Sequence, residues 1–184
     1  MPINWEVFKN NLLSYFDSNA NSKNTNNILP QVASKIASEY ELAVQQGGDL
    51  NYNNPVTTYN KPGLELNIRQ AFENGQRLQT TGPEQTIFGN FFSLGVIQFW
   101  TGAQLAFLIP PPPSISVVSN NVTVPGTAIP ILKLGNTENK TEFIDNMIDF
   151  FKQHLQTISG ITIGLVPQPS GPPIPTPFPW VGYG

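Results

Sequence analysis

From Ile161 to Gly184 the chain carries no charged side chain, yet seven prolines lie between Pro167 and Pro179 and the rings of Phe178, Trp180 and Tyr183 follow closely. Disordered segments normally stay solvated by charge, and this one has none. Proline fixes φ and pre-sets an extended backbone, which reduces the entropy lost on docking. The pattern predicts an extended Pro/aromatic arm over 161–184. Phe178, Trp180 and Tyr183 are its large anchors, and Ile174 and Val181 its smaller ones. We read it as lying on a neighbouring subunit; folding back over its own helices would hide the same apolar area. A free arm ending in three rings would be an aggregation liability. Pro-x-x-Pro spacing at Pro169 to Pro172 and Pro172 to Pro175 lacks the basic neighbour that SH3-like partners want.

Charge is scarce elsewhere too. Between Glu84 and Lys133 there is again no charged residue, and this stretch holds Pro110 to Pro113. Over the whole chain 11% of residues are charged, against about a quarter in an ordinary domain. A surface of Asn, Gln, Thr, Ser and Pro tolerates close neighbours. Nine Lys plus Arg against twelve Asp plus Glu leave no basic stripe, which argues against nucleic acid as a partner. The absence of cysteine excludes disulfides, thiolate nucleophiles and Cys-ligated metals, and a single histidine, His154, excludes relays or metal sites needing two. Phosphate-loop, dinucleotide, nucleophile-elbow and zincin motifs do not occur. Asp145 with Asp149 is a carboxylate pair on one helix face, turned away from the apolar stripe and read as solvated. No catalytic, cofactor-binding or metal-binding residue is assigned, no cofactor is implied, and no small-molecule substrate is expected.

The length suits one domain. Residues 1–4 have no basic run leading into an apolar one, so no signal or transit peptide is expected and the Asn121 and Asn139 sequons carry little weight. Helical periodicity runs through Trp5, Phe8, Leu12 and Phe16 after Asn4, a good N-cap. A second stripe follows Pro30, from Val32 to Val44, and stops at Gly47-Gly48. A third opens at Pro62 with Leu64, Ile68, Ala71 and Phe72, flanked by Glu65/Arg69 and Glu73/Arg77 pairs. The clearest stripe is Ile144, Met147, Ile148, Phe151, Leu155 and Ile158, with Asn139 and Glu142 as a capping box and Gly160 as a C-cap. Phe143 and Phe150 widen its face enough for a second partner surface. His154 sits on that flank without a carboxylate at i−4 or i+4, and reads as satisfied or solvent-facing.

Between these lies a helix expected from Pro83 to about Phe107. It is long and apolar enough to raise a membrane-spanning reading. Asn90, Ser93, Gln98, Thr101 and Gln104 argue against a membrane, as does the lack of flanking Lys or Arg. The favoured reading is a central core helix, with Gly95 and Gly102 admitting a close backbone. Ser114 to Val118 and Val122 to Val124, separated by Ser119-Asn120-Asn121, predict a short hairpin. Pro110 and Pro111 open a polyproline II stretch before it, with the backbone presented for contact.

Phe99-Trp100-Thr101-Gly102-Ala103 followed by Pro110-Pro111-Pro112-Pro113, Val124-Pro125-Gly126, and the ending Pro179-Trp180-Val181-Gly182-Tyr183 together resemble virion structural proteins of large tailed bacteriophages. The resemblance covers roughly the last half of the chain. It implies a non-enzymatic subunit repeated around a symmetric tail, neck, baseplate or capsid feature, assembled in the host cytoplasm, with copies of itself and other virion subunits as partners. The expected fold is mainly α, a small helical body with a short β-hairpin excursion and extended Pro-rich arms. Its parts are a body over 1–109, a Pro-rich/β-hairpin excursion over 110–140, an amphipathic helix over 141–160 and the arm over 161–184. Pro110, Pro111, Ile174, Phe178, Trp180, Val181 and Tyr183 are the expected partner-binding residues. Two other functions fit less of the pattern: a holin-like or pore-forming protein using residues 87–109, and a carbohydrate-binding module using Trp5, Tyr52 or Tyr59.

Overall fold

Phe151 is where the sequence's clearest apolar stripe meets the other helices. Its ring lies 4.4 Å from Tyr40, 5.7 Å from Phe92, 5.8 Å from Phe8 and 6.0 Å from Trp5. A computed structural model describes residues 2–19, 25–77, 83–106, 116–123 and 139–184. In chain order the elements are α1 (Trp5–Asn19), α2 (Thr25–Val44), β1 (Val56–Thr58), α3 (Lys61–Arg77), α4 (Pro83–Trp100), β2 (Gln104–Leu105), β3 (Ser116–Thr123), α5 (Lys140–Thr157), β4 (Ser159–Val166) and β5 (Ile174–Val181). The fold is mainly α, a small helical body with short antiparallel strands.

Local chemistry accounts for three helix starts and one stop. Asn4 Oδ1 accepts the Val7 N–H, Asn60 Oδ1 the Gly63 N–H and Asn139 Oδ1 the Thr141 N–H, each satisfying a donor the helix leaves free. α2 departs from expectation. It begins at Thr25, so Pro30 sits inside it and not in its first turn. α4 ends at Trp100, seven residues short of the expected Phe107, because Gly102 takes φ 74°, a left-handed value that closes the helix. Gly102 is therefore a stop; an added Cβ there would meet nothing within 4 Å. Gly95 is the close approach: a Cβ would lie 3.0 Å from Asn67 Cβ and 3.2 Å from the Leu64 carbonyl on α3. Across the same contact Asn67 donates to Gln98 Oε1 at 2.9 Å.

The α5 face is consumed by the chain's own body. Phe143 meets Phe72 and Phe88, and Phe150 meets Phe92 at 5.8 Å, so the width read as a second partner surface is packing against α3 and α4. Arg69 pairs with Glu73 and not with Glu65.

Two sheets flank the helices, β1-β2 and β3-β4-β5, both antiparallel. Ser119, Asn120 and Asn121, expected as a turn, lie within β3 opposite Ile163, Thr162 and Ile161. A register shift between Val117 and Ser119 takes up the irregularity. The hairpin is instead formed by β4 and β5. Gly160 is not a helix cap: α5 ends at Ile158 in an extended conformation, and Gly160 sits in β4 opposite Trp180.

Candidate functional site

The 161–184 segment was expected as one arm. Its first part is β4, and residues 174–181 turn back along it as β5, paired from Val166↔Ile174 to Ser159↔Val181. Trp180 and Tyr183, expected to anchor on a neighbour, are 1% and 2% exposed and belong to the core of their own chain. Tyr183 packs 5.0 Å from Trp100. Its hydroxyl accepts the Val56 N–H at 2.9 Å and is shared between the carbonyls of Val44 and Gly47, at 2.9 and 3.0 Å. Burial pushes the hydroxyl's pKa well above its ordinary value, tempered by the Val56 N–H. Backbone pairs finish the attachment. Tyr183 N–H donates to the Leu155 carbonyl, Gly182 N–H to Ile158, and Gly48 and Gly184 exchange both bonds. The receiving loop is shaped by Asp49, whose carboxylate accepts the N–H groups of Asn51, Tyr52 and Asn54.

The other anchors are placed differently. Phe178 is half-buried, with its ring edge-on to Tyr52 at 6.1 Å. Ile174 and Val181 are 51% and 62% exposed. Pro110 and Pro111 lie outside the described residues.

Strand alternation divides the sheet into two faces. Gly160, Thr162, Gly164 and Trp180 are buried against the body. On the opposite face Ile161 stands beside Pro179, Ile163 beside Pro177 and Leu165 beside Pro175, with Val181 at one end. Ile161 is 49% exposed, the three prolines are exposed, and Ile163 and Leu165 are half-buried. It is an outward row of seven apolar side chains without a charge. Proline lacks an N–H, so Pro175, Pro177 and Pro179 occupy the positions that do not bond to β4, and the outer edge of β5, which pairs with no further strand among the described residues, offers carbonyls but no donors there. The next outward donor, Val181 N–H, is already given to Asn51 Oδ1 at 2.8 Å.

His154 differs from its expected satisfied or solvent-facing state. It is fully buried, and among the described residues neither ring nitrogen has a hydrogen-bond partner; Trp180 Nε1 is likewise without one there. Burial lowers the imidazole pKa from 6.5 to about 4. Asp145 is tied to Lys9 at 2.5 Å. Among the described residues no three His, Cys, Asp or Glu side chains gather to hold a metal. Trp5 stacks on Phe151 and Tyr59 on Phe99, each leaving one ring face committed within the chain. No helix among the described residues is long and apolar enough to cross a membrane. A groove of about 100 Å3 between α1 and α2 is lined by Val7, Phe8, Leu42 and Ala43, with Glu39 at its side already bonded to Lys35 and Asn11. Comparison with protein-family models, with curated proteins and with solved structures finds no match.

Proposed function

We propose that the chain is a non-enzymatic structural subunit of a virus particle, assembling with copies of itself and neighbouring virion subunits through the outward face of β4 and β5. The observation that carries the assembly reading is that face: seven uncharged apolar side chains in one plane, held rigid from below by Trp180 and Tyr183. Contiguous exposed apolar surface of this kind marks an interaction site. Its burial is worth about 25 cal/mol per Å2, and a symmetric particle repeats each contact. The donor-free edge steers partners to the face, because a further strand cannot complete a ladder on β5. The particle itself is supported by the resemblance of residues 99–113 and 179–183 to virion proteins of large tailed bacteriophages.

Light scattering on detergent-free protein across a concentration series tests the reading, with Ile161→Lys/Val181→Glu as the comparison. Wild type is expected to grow beyond the monomer while the variant stays monomeric with an unchanged melting temperature. Wild type that is monomeric throughout, or a variant that grows equally, overturns it.

A further inference from the structure

The segment 174–184 makes every one of its attachments to parts of the chain that any second copy also offers. These are the edge of β4, the backbone of Gly48 and Leu50, the side chains of Asn51, Tyr52 and Trp100, the Val56 N–H, the Val44 and Gly47 carbonyls, and the end of α5. The only link to its own body is residues 167–173, Pro-Gln-Pro-Ser-Gly-Pro-Pro. Among the described residues this connector makes no hydrogen bond to the body, and 168–173 are exposed. Seven residues exceed the two to five common in hairpins, roughly, and when extended they reach about 20 Å.

The turn back onto β4 passes through Gly171 at φ 115°, a value side-chain-bearing residues rarely adopt. An added Cβ there would meet nothing within 4 Å, so a substitution acts through the backbone alone. The four prolines around it favour a straight connector.

We propose that 174–184 is an exchangeable element: in an assembly, β5 and Tyr183 of one copy seat on the body of a second copy, lacing the two together. The proposal rests on the assembly reading above and names the partner as this same chain. The contacts are identical within and between copies, so the choice depends on the connector and on local concentration. Within one chain the effective concentration is about millimolar for a short flexible linker. Copies held side by side in a symmetric assembly match that figure, and a straight connector then tips the balance outward.

Because the chain has no cysteine, engineered pairs report cleanly. Thr162 and Phe178 face each other on the covered side of the sheet, so only a seated β5 brings them together. The Thr162→Cys/Phe178→Cys chain should close a disulfide within itself when dilute. An equimolar mixture of Thr162→Cys chains and Phe178→Cys chains, refolded together and oxidised at assembling concentration, should give a covalent dimer. Adding Gly171→Val to the Phe178→Cys chain should raise the dimer about tenfold, the shift expected for a side chain at that φ. Gly164→Cys with Thr176→Cys, the next facing pair, serves if the first perturbs folding. A mixture that grows beyond the monomer by light scattering but forms no covalent dimer with either pair overturns strand exchange and leaves the assembly reading standing. A mixture that does neither overturns both.

Discussion

The Tyr183 hydroxyl pairs the first N–H of β1 and the Gly47 carbonyl, and adds a second donor to the Val44 carbonyl, which already accepts the Gly47 N–H. Tyr183→Phe keeps the ring on Trp100 and takes their hydroxyl partner from the Val56 N–H and the Gly47 carbonyl. We expect a loss of about 2 kcal/mol, read as a lowered denaturation midpoint without loss of helical signal. His154 contributes to the loss of stability in acid. Its folded pKa, about 4, lies below the unfolded 6.5, so the unfolded chain binds the extra proton. Stability is full above pH 6.5, falls as pH drops through that window, and the complete cost below it is about 3 kcal/mol. His154→Phe should flatten the limb in denaturant titrations at pH 7 and pH 4.5; an unchanged limb would assign it to other groups. Neither role could be read locally. The carbonyls that Tyr183 meets belong to residues 139 and 136 positions earlier. The burial of His154 is an outcome of packing that no i±4 neighbour announces.

Among the elements, those that satisfy themselves were legible. α5 follows its stripe from Ile144 to Leu155, and Asn4 and Asn139 mark two helix starts, whereas the Asn60 cap of α3 was not read from the sequence. Strands were less so, since β3 runs through Ser119-Asn120-Asn121 only because β4 supplies its hydrogen bonds. The proline alternation in β5 reads as polyproline II in isolation and as a strand edge once β4 is beside it. Pro177→Thr restores an outward N–H on that edge. It should leave the melting temperature intact and increase scattering and thioflavin signal over hours. Gly95→Val tests the α3–α4 contact. Its Cβ would crowd Asn67 and the Leu64 carbonyl at 3.0 and 3.2 Å, so α3 must give by a few tenths of an ångström, and about 1–3 kcal/mol of overpacking cost is expected in thermal unfolding.

At the scale of the whole molecule, one apolar core includes residues from Ile3 to Tyr183, so the 161–184 segment is not an appendage. Truncation after Val166 removes Trp180 and Tyr183 from that core. It should lower stability by several kcal/mol, since deleting one buried large ring typically costs about 3–5, and melting curves of the two lengths check this. The order of the chain, with the anchors after α1 to α4, also bears on synthesis. As the ribosome releases the chain, α1 to α4 emerge well before residue 183, with the Trp100 ring and the end of α2 still uncovered. Closure of the core waits for residues 174–184 to follow, so every chain passes through a stage in which its helices are made and the seat of Tyr183 stands open.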